Sequence, residues 1–295
     1  MTMTSSSRPV QYVVISPVRD EAQHLERTIE SMVSQTIRPA QWVLVNDGSA
    51  DETGAIIDHW ASREPWIVAV HRPDRGSREP GNGVIDAFYD GYNRITANDW
   101  EFLIKLDGDV AFDADYFAQC FAEFDADSHL GIGGGVICHP VDGQLQVEPN
   151  PRFHVRGASK IYRRPCWQDI AGLVSAPGWD TIDEVKANML GWSTRSFANL
   201  KVIHYRFTGA AKGPWSNAVK NGLGSYVSGY HPVFILLKCV KHLFEKPYLL
   251  ASAGLLYGFI LGYVRRVPQI PDKSLIKYLR AQQLRRLLFC TTIWK

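Results

Sequence analysis

Apolar and polar positions alternate along the first hundred residues in two different periods. Gln11 to Ser16 is a β-branched run stopped by Pro17, which predicts a strand. From about Glu21 to Gln35 the apolar positions Leu25, Ile29, Met32 and Val33 fall at helical spacing. A second strand over Trp42–Asn46 runs into Asp47-Gly48-Ser49. Ser49 to Glu52 has the spacing of a capping box opening a helix that reaches about Ala61. A third strand, Trp66 to Val70, a Gly/Pro/Arg loop from Arg72 to Gly83 and a helix from about Val84 to Ile95 follow. The apolar run from Trp100 to Lys105 then reads as a fourth strand. Strands alternating with helices predict an α/β domain: a mostly parallel sheet with helices on both faces and ligands at the carboxyl ends of its strands.

The chemistry sits at those strand ends. The fourth strand delivers Leu106-Asp107-Gly108-Asp109, two carboxylates one residue apart. Such a pair suits Mg²⁺ or Mn²⁺, which keep water and phosphate oxygens in their shell and need few protein carboxylates. Pro17, Arg19 and Glu21 follow the first strand and Asp47 the second. Neither a Gly-x-Gly-x-x-Gly nor a Walker lysine motif is present, so dinucleotide and P-loop chemistry is not indicated. Arg75 and Arg78 in the third loop are placed to donate to a diphosphate, or else lie on a solvated turn. Five scattered cysteines with no Cys-x-x-Cys fit neither a disulfide framework nor a zinc ribbon, and suit a reducing compartment. The polar start, Met1 to Gln11, carries no secretory signal pattern.

Ser16 to Glu21, Ser34-Gln35-Thr36, Val45 to Asp51 and Leu106 to Asp109, in that order, resemble family 2 glycosyltransferases over roughly residues 10–210. The resemblance implies a nucleotide-diphosphosugar transferase fold and an inverting transfer. It implies that Pro17, Arg19, Glu21 and Asp47 hold the nucleoside. Asp107 would lie near the ribose and metal, Asp109 would ligate the metal, and His204 would complete metal or diphosphate binding. Arg19-Asp20 stands where an aromatic-Asn pair is usual, and Asn46 where a first Asp is common, which leaves the base open; a UDP-sugar is the family's preference. The catalytic base falls in Gly178 to Glu184. Counting back from Gly191-Trp192 selects Asp180, and a shifted register selects Asp183; Trp179 replaces the usual Glu. Gly131 to Gly135 fits a tight strand beside the acceptor cleft. Gly157 to Arg164 resembles the acceptor-side segment, whose basic residues would suit an acidic or phosphate-bearing acceptor.

Charge divides the chain. Residues 1–200 hold 17 Lys/Arg against 28 Asp/Glu, and residues 201–295 hold 15 against two, which gives −11 and +13. The basic, apolar tail points to an anionic membrane surface rather than nucleic acid. Pro232 to Phe244 and Ser274 to Phe289 are basic amphipathic stretches. Tyr248 to Val264 is an uncharged run of 17 residues with Gly254, Gly258 and Gly262 on one face, suited to close helix packing. It fits interfacial or re-entrant attachment, a buried core helix or, at the lower limit of length, a span. The expected organisation is a nucleotide-sugar-binding domain over 1–210 and a helical membrane-associating region over 211–295. The expected function is transfer of a sugar to a glycan or lipid-linked acceptor at the inner face of the cell membrane, in envelope polysaccharide or glycolipid synthesis. A nucleotidylyltransferase and a non-catalytic nucleotide-sugar-binding or membrane scaffold are the alternatives. Several long spans and a Gln-x-x-Arg-Trp pattern are missing, which argues against a processive polymerase.

Overall fold

The computed structural model describes residues 10–74, 76, 82–206, 213–243 and 248–294. Four parallel strands form the first half of one sheet: β1 (Tyr12–Val18), β2 (Gln41–Asn46), β3 (Ile67–His71) and β4 (Phe102–Leu106), in the order β3-β2-β1-β4. β2 is buried along its whole length, which is why its sequence is an unbroken apolar run rather than an alternation. Helices α1 (Leu25–Val33), α2 (Thr53–Arg63) and α4 (Tyr116–Ala126) cover one face. Helices α3 (Asn82–Tyr92), α5 (Arg164–Asp169) and α6 (Trp179–Met189) cover the other. Alternate β1 residues feed the two cores, Val14 and Val18 into one and Val13 and Ile15 into the other.

The second half of the sheet is mixed. β8 (Ser159–Arg163) runs antiparallel to β4, and β6 (Leu130–Val141) antiparallel to β8. β9 (Ser193–His204) lies parallel to β6, with β5 (Val110–Ala111) antiparallel on its edge and β7 (Gln144–Val147) hairpinned to β6. The predicted parallel order therefore holds for the first four strands, and antiparallel pairing enters beyond them. The glycine run lies inside β6 because side chains have no room there. A Cβ on Gly134 would stand 2.4 Å from the Ser159 carbonyl oxygen, and one on Gly135 2.6 Å from that of Leu200. The capping box is a correction: α2 starts at Thr53, whose amide donates to the Asp51 carboxylate at 3.0 Å, and neither Ser49 nor Glu52 caps it. Ser49 accepts instead from the Asp20 amide, tying the first two strand-end loops together.

Helices α7 (Gly213–Val227), α8 (Pro232–His242), α9 (Tyr248–Val264) and α10 (Lys273–Leu287) pack on α6 around a third core that contains Ile182, Val185, Ile235, Phe259 and Leu279. α7 and α9 meet main chain to main chain. A Cβ on Gly258 would lie 2.0 Å from the Val219 carbonyl oxygen, and one on Gly222 2.0 Å from that of Leu255. The glycine spacing in α9 thus marks a packing seam. Apolar side chains of α8 and α9 remain uncovered: Val233, Leu236, Leu237 and Val240 of α8 and Leu249, Tyr257, Ile260 and Val264 of α9 are exposed, Leu249 at 70% and Val264 at 74%. No helix of the described residues is long and apolar enough to cross a membrane.

Candidate active site

β4 ends at Leu106, and the chain turns through Asp107-Gly108-Asp109 before β5. Pairing of β5 with the end of β9 brings His204 opposite Val110. One ligand atom from each of Asp107, Asp109 and His204 lies within 4.8 Å of the others. The His204 Nε2 is 3.2 Å from the Asp109 Oδ1. Burial pushes the His204 imidazole pKa down, but the hydrogen bond to Asp109 and the Asp109 and Asp107 charges outweigh it and raise it. Burial likewise pushes Asp109 up, and His204, Arg206 and Lys105 reverse the sign and hold its carboxyl below the usual range. Two carboxylates and an imidazole converging at a strand end are a donor set that fits Mg²⁺ or Mn²⁺.

The two preceding strand ends close around this triad. Pro17 lies within β1, in register with Val45. Arg19 donates to the Asp47 carbonyl at 3.0 Å and to the Asp74 carboxylate at 2.7 Å. The Asp47 carboxylate is engaged by Arg72, which also reaches Asp90 at 2.6 Å. Glu21 is buried, its amide donating to the Thr53 hydroxyl. Arg206 joins the loops to the triad: it is 2.8 Å from Glu21, donates to the Asp20 carbonyl at 3.1 Å and stands 3.9 Å from Asp109. Arg75 and Arg78 lie outside the described residues.

Beside the triad, Lys105 pairs with Asp107 and donates to the Gly157 carbonyl at 2.8 Å. Gly157 abuts α6: a Cβ there would be 2.9 Å from the Trp179 ring and 3.5 Å from the Asp180 Cβ. Gly178, at φ +86°, turns the chain into α6 and places Asp180 in its first turn. Asp180 lines a cavity of about 430 Å³ together with His154, Arg156 and residues of α7, α8 and α9. Its side chain is 26% exposed and 3.8 Å from Arg156. Burial raises its pKa, but His154, Lys160, Arg156 and Lys105 outweigh burial and keep it ionised.

Asp183, the alternative base, faces inward. It accepts from Lys160 at 3.1 Å and from the Tyr162 hydroxyl at 2.6 Å. Burial pushes its carboxyl up to about 6, against the pull of Lys160. The adjacent Glu184 is buried with Lys160 at 2.9 Å, His154 at 2.8 Å and the Val155 amide at 2.6 Å. The geometry brings Asp180, not Asp183, to the cavity. It also corrects the reading of the basic residues in Gly157 to Arg164. Lys160 is fully buried, and Arg163 and Arg164 donate to the main-chain carbonyls of Leu130 and Asn98. Arg156, one residue before that segment, is the one that lines the cavity.

Sequence reasoning missed Arg72, Lys105, His154 and Arg206. The one available signal was Lys105, a lysine inside an otherwise apolar strand. The others sit at positions that only the tertiary fold brings to the site.

Comparison with known proteins bears on the family and the fold. The family model for glycosyl transferase family 2 matches residues 13–172. The uncharacterized glycosyltransferase EpsJ of Bacillus subtilis is 31% identical over 136 residues, 46% of this chain and 37% of that protein. The glycosyltransferase GlyA of Streptococcus pneumoniae is 26% identical over 155 residues, 50% of this chain and 20% of its own length. The chain spans well under half the length of these curated relatives. A mannosyltransferase of Pyrobaculum calidifontis, solved with GDP-Man and Mn²⁺, superposes with a TM-score of 0.56 at 15% identity, covering 92% of this chain and 79% of its own. TarS 1–349 of S. aureus, solved with UDP-GlcNAc, gives 0.53 at 15% identity, covering 95% and 86%. These structures share the fold, a nucleotide-sugar transferase sheet with helices. The family model covers more than half of the sequence, and the chain belongs to glycosyl transferase family 2.

Proposed function

We propose that the protein transfers a sugar from a nucleotide-diphosphosugar to an acceptor hydroxyl, with a divalent cation held by Asp107, Asp109 and His204. The observation that carries this reading is the adjacency of the carboxylate–imidazole triad to a cavity with an ionised carboxylate, Asp180, on its wall. Neighbours of the same fold were solved with UDP-GlcNAc and with GDP-Man and Mn²⁺, which supports a nucleotide-sugar donor and a hard divalent ion here.

The strand-end loops, with Pro17, Arg19, Glu21 and Asp47, form the donor side. Arg19 and Arg72 fix the Asp47 loop, and Arg206 ties Glu21 to Asp109. The cation, when bound, offsets charge growing on the leaving diphosphate. Asp180 takes the proton of the acceptor hydroxyl as its oxygen bonds to the anomeric carbon. The bond from that carbon to the diphosphate oxygen breaks, and its electron pair leaves with the nucleoside diphosphate. Asp183 holds Lys160 and Tyr162 beneath α6 and keeps Asp180 in position.

The exposed apolar faces of α8 and α9, flanked by Arg265, Arg266 and Lys241, support attachment to an anionic bilayer by an interfacial pair of helices. On this reading the enzyme works at the inner face of the cell membrane, with envelope glycans or glycolipids as its products.

The test is release of nucleoside diphosphate from a panel of UDP- and GDP-sugars, with Mn²⁺ or Mg²⁺ and with EDTA. Metal-dependent release from one donor, lost in Asp109→Asn, is the expected result. Equal release in EDTA, or no calorimetric binding of any nucleoside diphosphate with metal, overturns the reading.

A further inference from the structure

The cavity beside Asp180 has a charge pattern that sugar transfer by itself does not require. Three cationic side chains from three separate segments line it: Arg156 from the β7–β8 connection, Lys220 from α7 and Lys238 from α8. Asp180 is its one carboxylate among the described lining residues, and Arg156 stands 3.8 Å from it. The remaining polar wall consists of His154, whose imidazole is paired with the Glu184 carboxylate at 2.8 Å, and neutral groups such as Asn217, Asn221 and Tyr230.

Lys238 is the informative member. It sits on α8 between Leu237 and Cys239, half-buried, with no acidic partner among the described residues. Burial and the nearby Lys241 pull its ammonium below the usual lysine range. A cation drawn out of water without a counterion is unfavourable, and its removal would cost the fold little. Its placement becomes favourable when an anion enters the cavity. The buried cations elsewhere in this region, Lys105 and Lys160, each have carboxylate partners.

We infer that the cavity takes an acceptor carrying a phosphate group beside the hydroxyl to be glycosylated, with the phosphate held by Lys238, Lys220 and Arg156 and the hydroxyl at Asp180. A phosphate offers enough oxygens to engage two ammonium groups and a guanidinium at once, which a neutral glycan cannot do. Polyol phosphates and glycerophospholipid headgroups both present this chemistry. The inference rests on the proposed transfer and names the acceptor class at the same site.

The test uses calorimetry on the full chain with the donor site saturated by Mn²⁺ and the nucleoside diphosphate that binds it, so that phosphate cannot report that site. The probes are sn-glycerol 3-phosphate against glycerol, and dioctanoyl phosphatidylglycerol against dioctanoylglycerol. The expected result is at least about tenfold tighter binding of a phosphate probe than of its neutral match, lost in Lys238→Gln. Lys277→Gln, exposed on α10 outside the cavity, should retain it. Circular dichroism melts and an unchanged nucleoside-diphosphate affinity show that Lys238→Gln is folded. Binding of both phosphates identifies a headgroup-sized ligand, and binding of the lipid alone identifies a membrane-borne one; either supports the inference. Equal affinity for phosphate and neutral probes, or Lys238→Gln binding like wild type, overturns it. Absence of nucleoside-diphosphate binding at the outset would instead be failure of the underlying transfer reading.

Discussion

The Lys160 ammonium stands 3.1 Å from both oxygens of the Asp183 carboxylate, and neither side chain reaches solvent. One helical turn earlier, Asp180 opens onto the cavity. Two acidic residues three positions apart therefore have opposite expected phenotypes. Asp180→Asn should fold with only a modest loss of stability, bind nucleoside diphosphate normally and lose about 100- to 10,000-fold in kcat. Asp183→Ala leaves Lys160 and Tyr162 short of a buried partner and should cost about 3–5 kcal/mol of stability. Denaturant melts beside single-turnover rates separate the two. An Asp180 variant that unfolds, or an Asp183 variant that is stable but inactive, would exchange their roles.

The triad predicts a metal affinity that depends on imidazole as well as carboxylate. His204→Ala should weaken Mn²⁺ binding by more than the about 10- to 100-fold that outer-shell substitutions cause, measured by electron paramagnetic resonance titration. Unaltered Mn²⁺ affinity would remove His204 from the ligand set.

Stability should fall as the solution becomes alkaline. Burial lowers the His154 pKa, but Glu184 and Asp180 outweigh burial and the repulsion of Lys160, leaving it above the usual value of 6.5. A histidine raised in the folded state contributes its full stability below about pH 6.5 and loses it as pH rises through the folded pKa. Urea unfolding from pH 6 to 9 should therefore show declining stability, flatter in His154→Gln. Asp183, raised to about 6, acts in the same direction but below that window.

Gly258→Ala should lower the melting temperature, at a cost of about 1–3 kcal/mol, because its methyl would meet the Val219 carbonyl oxygen 2.0 Å away. The cavity wall on α7 should shift with it. Calorimetric melts check this, and a neutral substitution would mean that the helices separate at little cost.

Vesicle flotation tests the α8–α9 face. Wild type should float with phosphatidylglycerol vesicles, and a Leu236→Glu, Leu237→Glu, Val240→Glu triple variant should stay in the soluble fraction. Flotation of both would move the membrane contact elsewhere.

Much of this was legible along the chain because it is local. β1, β2, β3 and β4 are mostly apolar runs with turn chemistry at their ends, and Asp107 and Asp109 mark a strand terminus by position alone. His204 needed the resemblance, since a lone histidine has no spacing to read. The choice between Asp180 and Asp183 could not be made from sequence: both fall in one turn of helix, and their exposures differ only because Lys160 rises from β8 under one of them. The basic residues after Gly157 misled for the same reason. A strand's sequence does not show which of its faces are covered, and here both are: Ser159 to Tyr162 are all buried, Lys160 among them. Arg206 and Arg72 reach the site through pairings of strands 25 or more residues apart.

The glycine seam between α7 and α9 also bears on how the cavity can change. Asn217, Asn221 and Ser225 project from the cavity side of α7, while Val219 and Gly222 fix the helix by its main chain against α9. Backbone-to-backbone contact has no rotamers to rearrange, so the rail stays in place while the groups mounted on it are exchanged. Acceptor preference can then be altered one projecting side chain at a time, with the distance from α7 to Asp180 held constant.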